Sequence, residues 1–176
     1  HRWDVKFCSE NTFATVGDNP IPRRDPLGLF AIDSSCSKDP FKSVGAAFGS
    51  MCAKTTTEGT QCNNALKGVS SILFGNEKSL GKCLKSQCSG KQTTVKCDCN
   101  FSKGCAQNVR SVGENIITIG PGGSECPNGK LGSFEETTFH ETLHSKCAFE
   151  GAEPDTPNIW GKMFKYLEHK CYGWKP

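Results

Sequence analysis

Apolar positions recur at helical spacing in several stretches of this chain and alternate with polar ones in few. The firmest stretch begins at Ser133-Phe134-Glu135-Glu136. Its S-x-x-E form is that of a capping box, in which hydroxyl and carboxylate serve the first free N–H groups of a helix. Phe139 and Leu143 follow at i and i+4 and predict a core-facing stripe on a helix over 134–147. A second helix is predicted over 158–170, with Ile159, Trp160, Met163, Phe164, Leu167 and Cys171 as its apolar stripe. Shorter helical patterns occupy 64–74 (Leu66, Val69, Ile72, Leu73), 77–87 (Leu80, Leu84) and 40–48. Ile116-Ile117-Thr118-Ile119 is the clearest strand, closed by Gly120-Pro121-Gly122-Gly123, and Thr93-Thr94-Val95-Lys96 leans the same way. The Thr-rich, polar residues 53–62 read as a loop. The sum is an α+β chain with a small sheet.

Composition narrows the setting. The 176 residues allow one domain with an additional terminal segment. Mean hydropathy is -0.47 and net charge is +3, too small and too scattered to indicate nucleic acid. No apolar run approaches the roughly 18 residues of a membrane span. Residues 1–15 carry no continuous apolar region of the kind that marks a signal peptide. Twelve cysteines are spread along the chain, at 8, 36, 52, 62, 83, 88, 97, 99, 105, 126, 147 and 171. An even count at that density predicts a disulfide framework and an oxidising destination, with a connectivity that spacing does not fix. One cluster could instead hold a structural metal, Cys97-x-Cys99-x5-Cys105 with Cys83 and Cys88 upstream. It lacks both a histidine and a paired C-x2-C, which favours disulfides.

The chemistry concentrates at His140-Glu141-Thr142-Leu143-His144, which uses two of the four histidines. On a helix, residues i and i+4 share a face, so both rings can reach one metal ion. Glu141 beside them is placed to act as the base of a zinc hydrolase. Catalytic zinc has three protein ligands and an open position, so a third must come from elsewhere. Glu150, six residues after His144, is the first candidate and Glu168 the second, with Glu153 and Asp155 behind them. At 100° per residue Glu168 falls in line with Trp160 and Phe164, on the inward side of its helix, whereas His169 falls with Lys162 and Lys165 toward solvent. Tyr166, Tyr172 and His169 could each serve as an electrophile for an oxyanion, and spacing selects none of them. A cysteine nucleophile is disfavoured, because both clustered histidines are committed to the metal motif and the thiols are expected to be oxidised.

A strand followed by a helix bearing this motif resembles the zincin arrangement, in which a sheet edge holds the substrate backbone above the helix. Ile116 to Ile119 would be part of that sheet. The resemblance implies a disulfide-rich, zincin-like α+β fold, with Zn2+ held by His140, His144 and a third ligand. The spacing of Glu150 is similar to that of the third ligand in metzincins. Here, though, Cys147 stands where those enzymes have a glycine, and a glutamate replaces their histidine. A glutamate on a second helix, as Glu168 would be, is similar to the gluzincin solution.

Residues 17–29 carry a further signature. Pro20 and Asp25-Pro26-Leu27-Gly28-Leu29 fill every fixed position of P-x4-D-P-x-G-L. This segment resembles the end of the Rhs/YD-repeat core, the junction between a repeat shell and a variable C-terminal toxin. The resemblance implies a core end at 1–29 and a toxin domain at 30–176, cut between Leu29 and Phe30 with Asp25 taking part in the self-cleavage. Such a cut would leave Cys8 on the shell side and eleven cysteines on the other, giving either a free thiol or a covalent tether. The resemblance further implies a secreted effector of interbacterial competition, with the Rhs shell and a cognate immunity protein as partners and no nucleic acid or membrane span. The expected activity is that of a zinc metallopeptidase on proteins of a target cell, in its periplasm or the extracellular space. Two alternatives remain open: a peptidoglycan amidase or endopeptidase, and a non-enzymatic disulfide-rich binding domain.

Overall fold

A computed structural model describes residues 31–89, 93–101, 104–111, 114–124, 133–144 and 158–173. Its four strands are β1 (Ala31–Ile32), β2 (Thr93–Cys97), β3 (Ala106–Ser111) and β4 (Glu114–Ile119). Its five α-helices are α1 (Val44–Thr56), α2 (Gln61–Phe74), α3 (Ser79–Ser89), α4 (Phe134–Leu143) and α5 (Ile159–Tyr172). The strands form one mixed sheet in the order β1-β2-β4-β3, with β1, β2 and β4 parallel and β3 antiparallel along β4. The α+β class expected from the pattern is therefore present. No helix among the described residues is long and apolar enough to cross a membrane.

Alternation on the strands decides where the core lies. Val95, Ile117 and Ile119 are fully buried on one face of the sheet. Asn108 of β3 is paired with Ile117 in the antiparallel register, which puts its side chain on that same face. Helix α4 lies there, packed against β3 and β4 on one side and α1 and α5 on the other. Phe139 and Leu143, the predicted stripe, are fully buried and meet Phe48 and Met51 of α1 and Phe164 and Leu167 of α5 in one continuous core.

Helix α4 begins at the serine cap its sequence predicts. The Ser133 hydroxyl accepts from the Glu136 N–H at 3.2 Å, and the Thr137 hydroxyl donates to the Gly123 carbonyl at 2.6 Å. Gly123 belongs to the short 3-10 turn that follows β4. A Cβ added there would come within 2.7 Å of Ile119 Cγ2, so only glycine lets this turn approach the helix start. The helix closes earlier than expected, at Leu143, with His144 as its C-cap. The His144 N–H still donates to the His140 carbonyl at 3.3 Å, so the two histidines remain on one turn.

Two expectations are corrected. Of residues 53–62, read as a loop, 53–56 extend α1 and 61–62 open α2, which leaves 57–60 as the link between the helices. Thr55, Thr56 and Thr57 turn their hydroxyls back onto the carbonyls of Met51, Cys52 and Ala53 at 2.7–3.0 Å, which satisfies each side chain within the helix. Ile159, placed on the inward stripe of α5 by periodicity, is 57% exposed because it opens the helix beyond the core. The disulfides favoured for the cysteine cluster are present: Cys97 is bonded to Cys36 and Cys88 to Cys52. A third bridge joins Cys62 of α2 to Cys171 of α5, and Cys83, Cys99 and Cys105 are disulfide-bonded as well.

Candidate metal centre

The two histidines of the motif converge. His140 and His144 project from the last turn of α4, half-buried, and their Nε2 atoms stand 3.1 Å apart. Two imidazoles bound tetrahedrally to one zinc at about 2.0–2.1 Å would hold their nitrogens roughly 3.3 Å apart. The observed pair is thus arranged as a two-pronged clamp.

Glu168, buried at 5% exposure on the inward face of α5, reaches His140 as its helix phase predicts. It meets the other ring nitrogen: Glu168 Oε1 lies 2.5 Å from His140 Nδ1. An ionised carboxylate can only accept, so Nδ1 carries a proton, and His140 in its neutral form presents a lone pair at Nε2. That is the tautomer a metal requires, and fixing it is what an outer carboxylate does for a ligating histidine. The residues present therefore fit a zinc ion at two positions. Among the described residues, no group of three or more His, Cys, Asp or Glu side chains is placed to hold one metal ion. Glu150, Glu153 and Asp155 lie outside the described residues, as do Asp25, Leu29 and Phe30 of the junction.

Glu141 is buried at 7% exposure, on the turn that carries both histidines. Its backbone carbonyl accepts from Asn108 Nδ2 at 2.5 Å, which ties the antiparallel edge strand β3 to this turn of the helix. Of the electrophile candidates, Tyr166 and His169 are exposed. The Tyr172 ring packs on Phe139 with centroids 5.3 Å apart, and burial raises its hydroxyl pKa.

Two contributors escaped the sequence reading. Asn108 left no signal there, since only the sheet register brings it to α4. Glu136 left one: it stands four residues before His140, on the same stripe as both histidines. Its part in the capping motif masked this. In the structure only the Ser133 half of the box is made, and the Glu136 carboxyl is buried at 3% exposure, with Oε1 lacking a hydrogen-bond partner among the described residues. Desolvation first, then the charge of Glu168, pushes its pKa up to about 7, against opposing pulls from His140 and Lys54.

This shift has a sign. The folded pKa lies above the unfolded one, so the folded protein holds the extra proton between about 4.5 and 7 and loses stability as pH rises through that window. In metal-stripped protein, Glu136→Gln should flatten that fall and leave the variant more stable than the parent at pH 8. Denaturant midpoints at pH 5 and pH 8 measure this. Equal losses in parent and variant would remove Glu136 from the account.

Comparison with protein-family models, curated proteins and solved structures gave no match to this chain.

Proposed function

We propose that residues 30–176 form a zinc metallopeptidase, the toxin domain of an Rhs-type effector that hydrolyses target-cell proteins in an oxidising compartment. The observation that carries this reading is the clamp itself: two Nε2 atoms 3.1 Å apart, a buried carboxylate on the outer nitrogen of one ring, and Glu141 between the two histidines in sequence. The Rhs-like junction at residues 20–29 supports the effector part, and three disulfide bridges agree with an oxidising destination.

His140 and His144 would hold the zinc, with Glu150 as the third ligand, since the Glu168 carboxylate is engaged at Nδ1. A zinc held there would supply Lewis acidity and lower the pKa of water toward neutrality. Glu141 would take a proton from the attacking water and deliver it to the departing amine. Glu168 keeps His140 in its binding tautomer. Strand β3, antiparallel, fastened to the helix through Asn108 and at the sheet edge among the described residues, is a strand to which an extended substrate could add, in keeping with a zincin-like site.

The primary test is metal analysis with a peptidase assay: purified protein should carry about one zinc per chain and cleave an unstructured protein substrate, with activity lost on chelation and restored by zinc. An active, metal-free protein would end this reading. Periplasm-directed expression separates the substrate classes, since proteolysis depletes periplasmic proteins whereas wall hydrolysis releases muropeptides.

The role of Glu168 is separable. Glu168→Gln should retain zinc at the same stoichiometry with affinity lowered about 10–100-fold, the range for loss of an outer carboxylate. Glu150→Gln should lose far more. The reverse ranking, read by competition with a fluorescent zinc chelator, would make Glu168 the ligand.

A further inference from the structure

Three of the four large hydrophobic side chains exposed among the described residues, Ile72, Ile159 and Tyr166, belong to α2 and α5. These helices form the walls of a groove of about 900 Å³. One wall carries Ala65, Gly68 and Ile72, and the other carries Met163, Tyr166 and Lys170, each set recurring at helical spacing. Ile159 lies one turn before Met163 on the α5 stripe. From this chain and its geometry we infer that the α2–α5 groove is a docking surface for an amphipathic helix of a partner protein, one whose apolar stripe is flanked by aspartates and glutamates.

Gly68 is the first argument. It lies inside α2, where glycine costs about 1 kcal/mol relative to alanine. A Cβ built there meets no atom within 4 Å, so nothing in the described fold requires its absence. What the missing side chain leaves open is the groove.

The groove is also held in shape. The Cys62–Cys171 bridge fastens the start of α2 to the end of α5, so its walls are set before any partner arrives.

The chemistry of the lining selects the occupant. Among the described residues, Lys162 and Lys170 line the groove and no aspartate or glutamate does. Both walls are helices with their own backbone hydrogen bonds made, so an extended peptide would lay N–H and C=O groups against them without partners. A helix brings its backbone already satisfied. The stretch from Gln61 to Ile72 spans roughly 17 Å at 1.5 Å per residue, enough for about three turns. A second copy docking through this same face would set lysines against lysines.

The test is a display library of 18-residue helical peptides, with an apolar stripe and randomised flanks, selected on the full chain. The surviving peptides should be enriched in Asp and Glu at the flanks and should bind Gly68→Phe and Ile72→Glu at least about tenfold more weakly. Both substitutions point into open space or solvent, so the fold should be retained, as circular dichroism would show. Charge reversal at Lys162→Glu with Lys170→Glu should shift the selected flanks toward lysine and arginine. The inference fails if no peptide distinguishes parent from Gly68→Phe, or if the selected flanks are not acidic. It fails equally if the groove is instead buried by self-association in sedimentation experiments, or by anionic vesicles that displace the peptides.

Discussion

Replacing Glu141 with glutamine should lower kcat for peptide hydrolysis about 10³-fold or more while leaving fold and zinc content unchanged. A proton-transfer group contributes roughly 10²–10⁴, and here the same carboxylate would serve both the attacking water and the leaving amine, which places the loss in the upper part of that range. Glutamine keeps the shape and fits a side chain that is buried at 7% exposure. The contact fixing this turn to β3 is made by the Glu141 backbone carbonyl to Asn108, so it survives the substitution. What is removed is the charge of the carboxylate and with it the ability to take a proton. The check is kcat on an unstructured protein substrate, alongside zinc stoichiometry and circular dichroism. A Glu141→Gln protein that retains a tenth of the parental rate would exclude Glu141 as the base. His144→Ala is the useful contrast, since it should lose activity together with zinc.

The largest effect on stability should come from Cys62→Ser with Cys171→Ser. The bridge closes a loop of 109 residues, the longest separation among the three assigned pairs. Loop-closure entropy for such a length is about 4–5 kcal/mol, a large share of the roughly 5–15 kcal/mol that holds a domain folded. Removing Cys52–Cys88, whose separation is 36, should cost less, nearer 3–4 kcal/mol by the same relation. Guanidinium midpoints of the two double variants give the comparison. Because Cys171 follows Glu168 by three residues on α5, the first variant should also bind zinc more weakly at temperatures where it remains folded. A loss below 1 kcal/mol would show that packing between α2 and α5, not the cross-link, secures this end of the molecule.

Local rules accounted for much of the candidate site. A capping serine, two histidines at i and i+4, and a phase argument that turned Glu168 inward and His169 outward all concern single helices, where 3.6-residue geometry fixes side-chain direction. What escaped depends on tertiary placement. Strand β3, Ala106–Ser111, has no clean alternation, and its Asn108 acquires meaning only through the register with Ile117. The same holds for the sheet edge. Ile116 to Ile119 was legible as a strand, yet it lies between β2 and β3, and the strand tied to the helix is the weaker-patterned β3. Glu168 was rightly turned toward the metal motif, but which nitrogen of His140 it meets depends on the separation of α4 and α5, which periodicity does not contain. The Thr55 to Thr57 run was misread because composition speaks of polarity, while hydroxyls bonded to the preceding turn hide that polarity within a helix.

The three assigned bridges also have a property as a set. Cys36–Cys97, Cys52–Cys88 and Cys62–Cys171 overlap end to end, so every peptide bond between residues 36 and 171 is spanned by at least one of them. A backbone cut anywhere in that interval divides the polypeptide without dividing the molecule. Such a nicked protein would run as one species on a non-reducing gel and separate only on reduction. For a domain that we propose to be a protease, cleavage of the chain and loss of the fold become separate events.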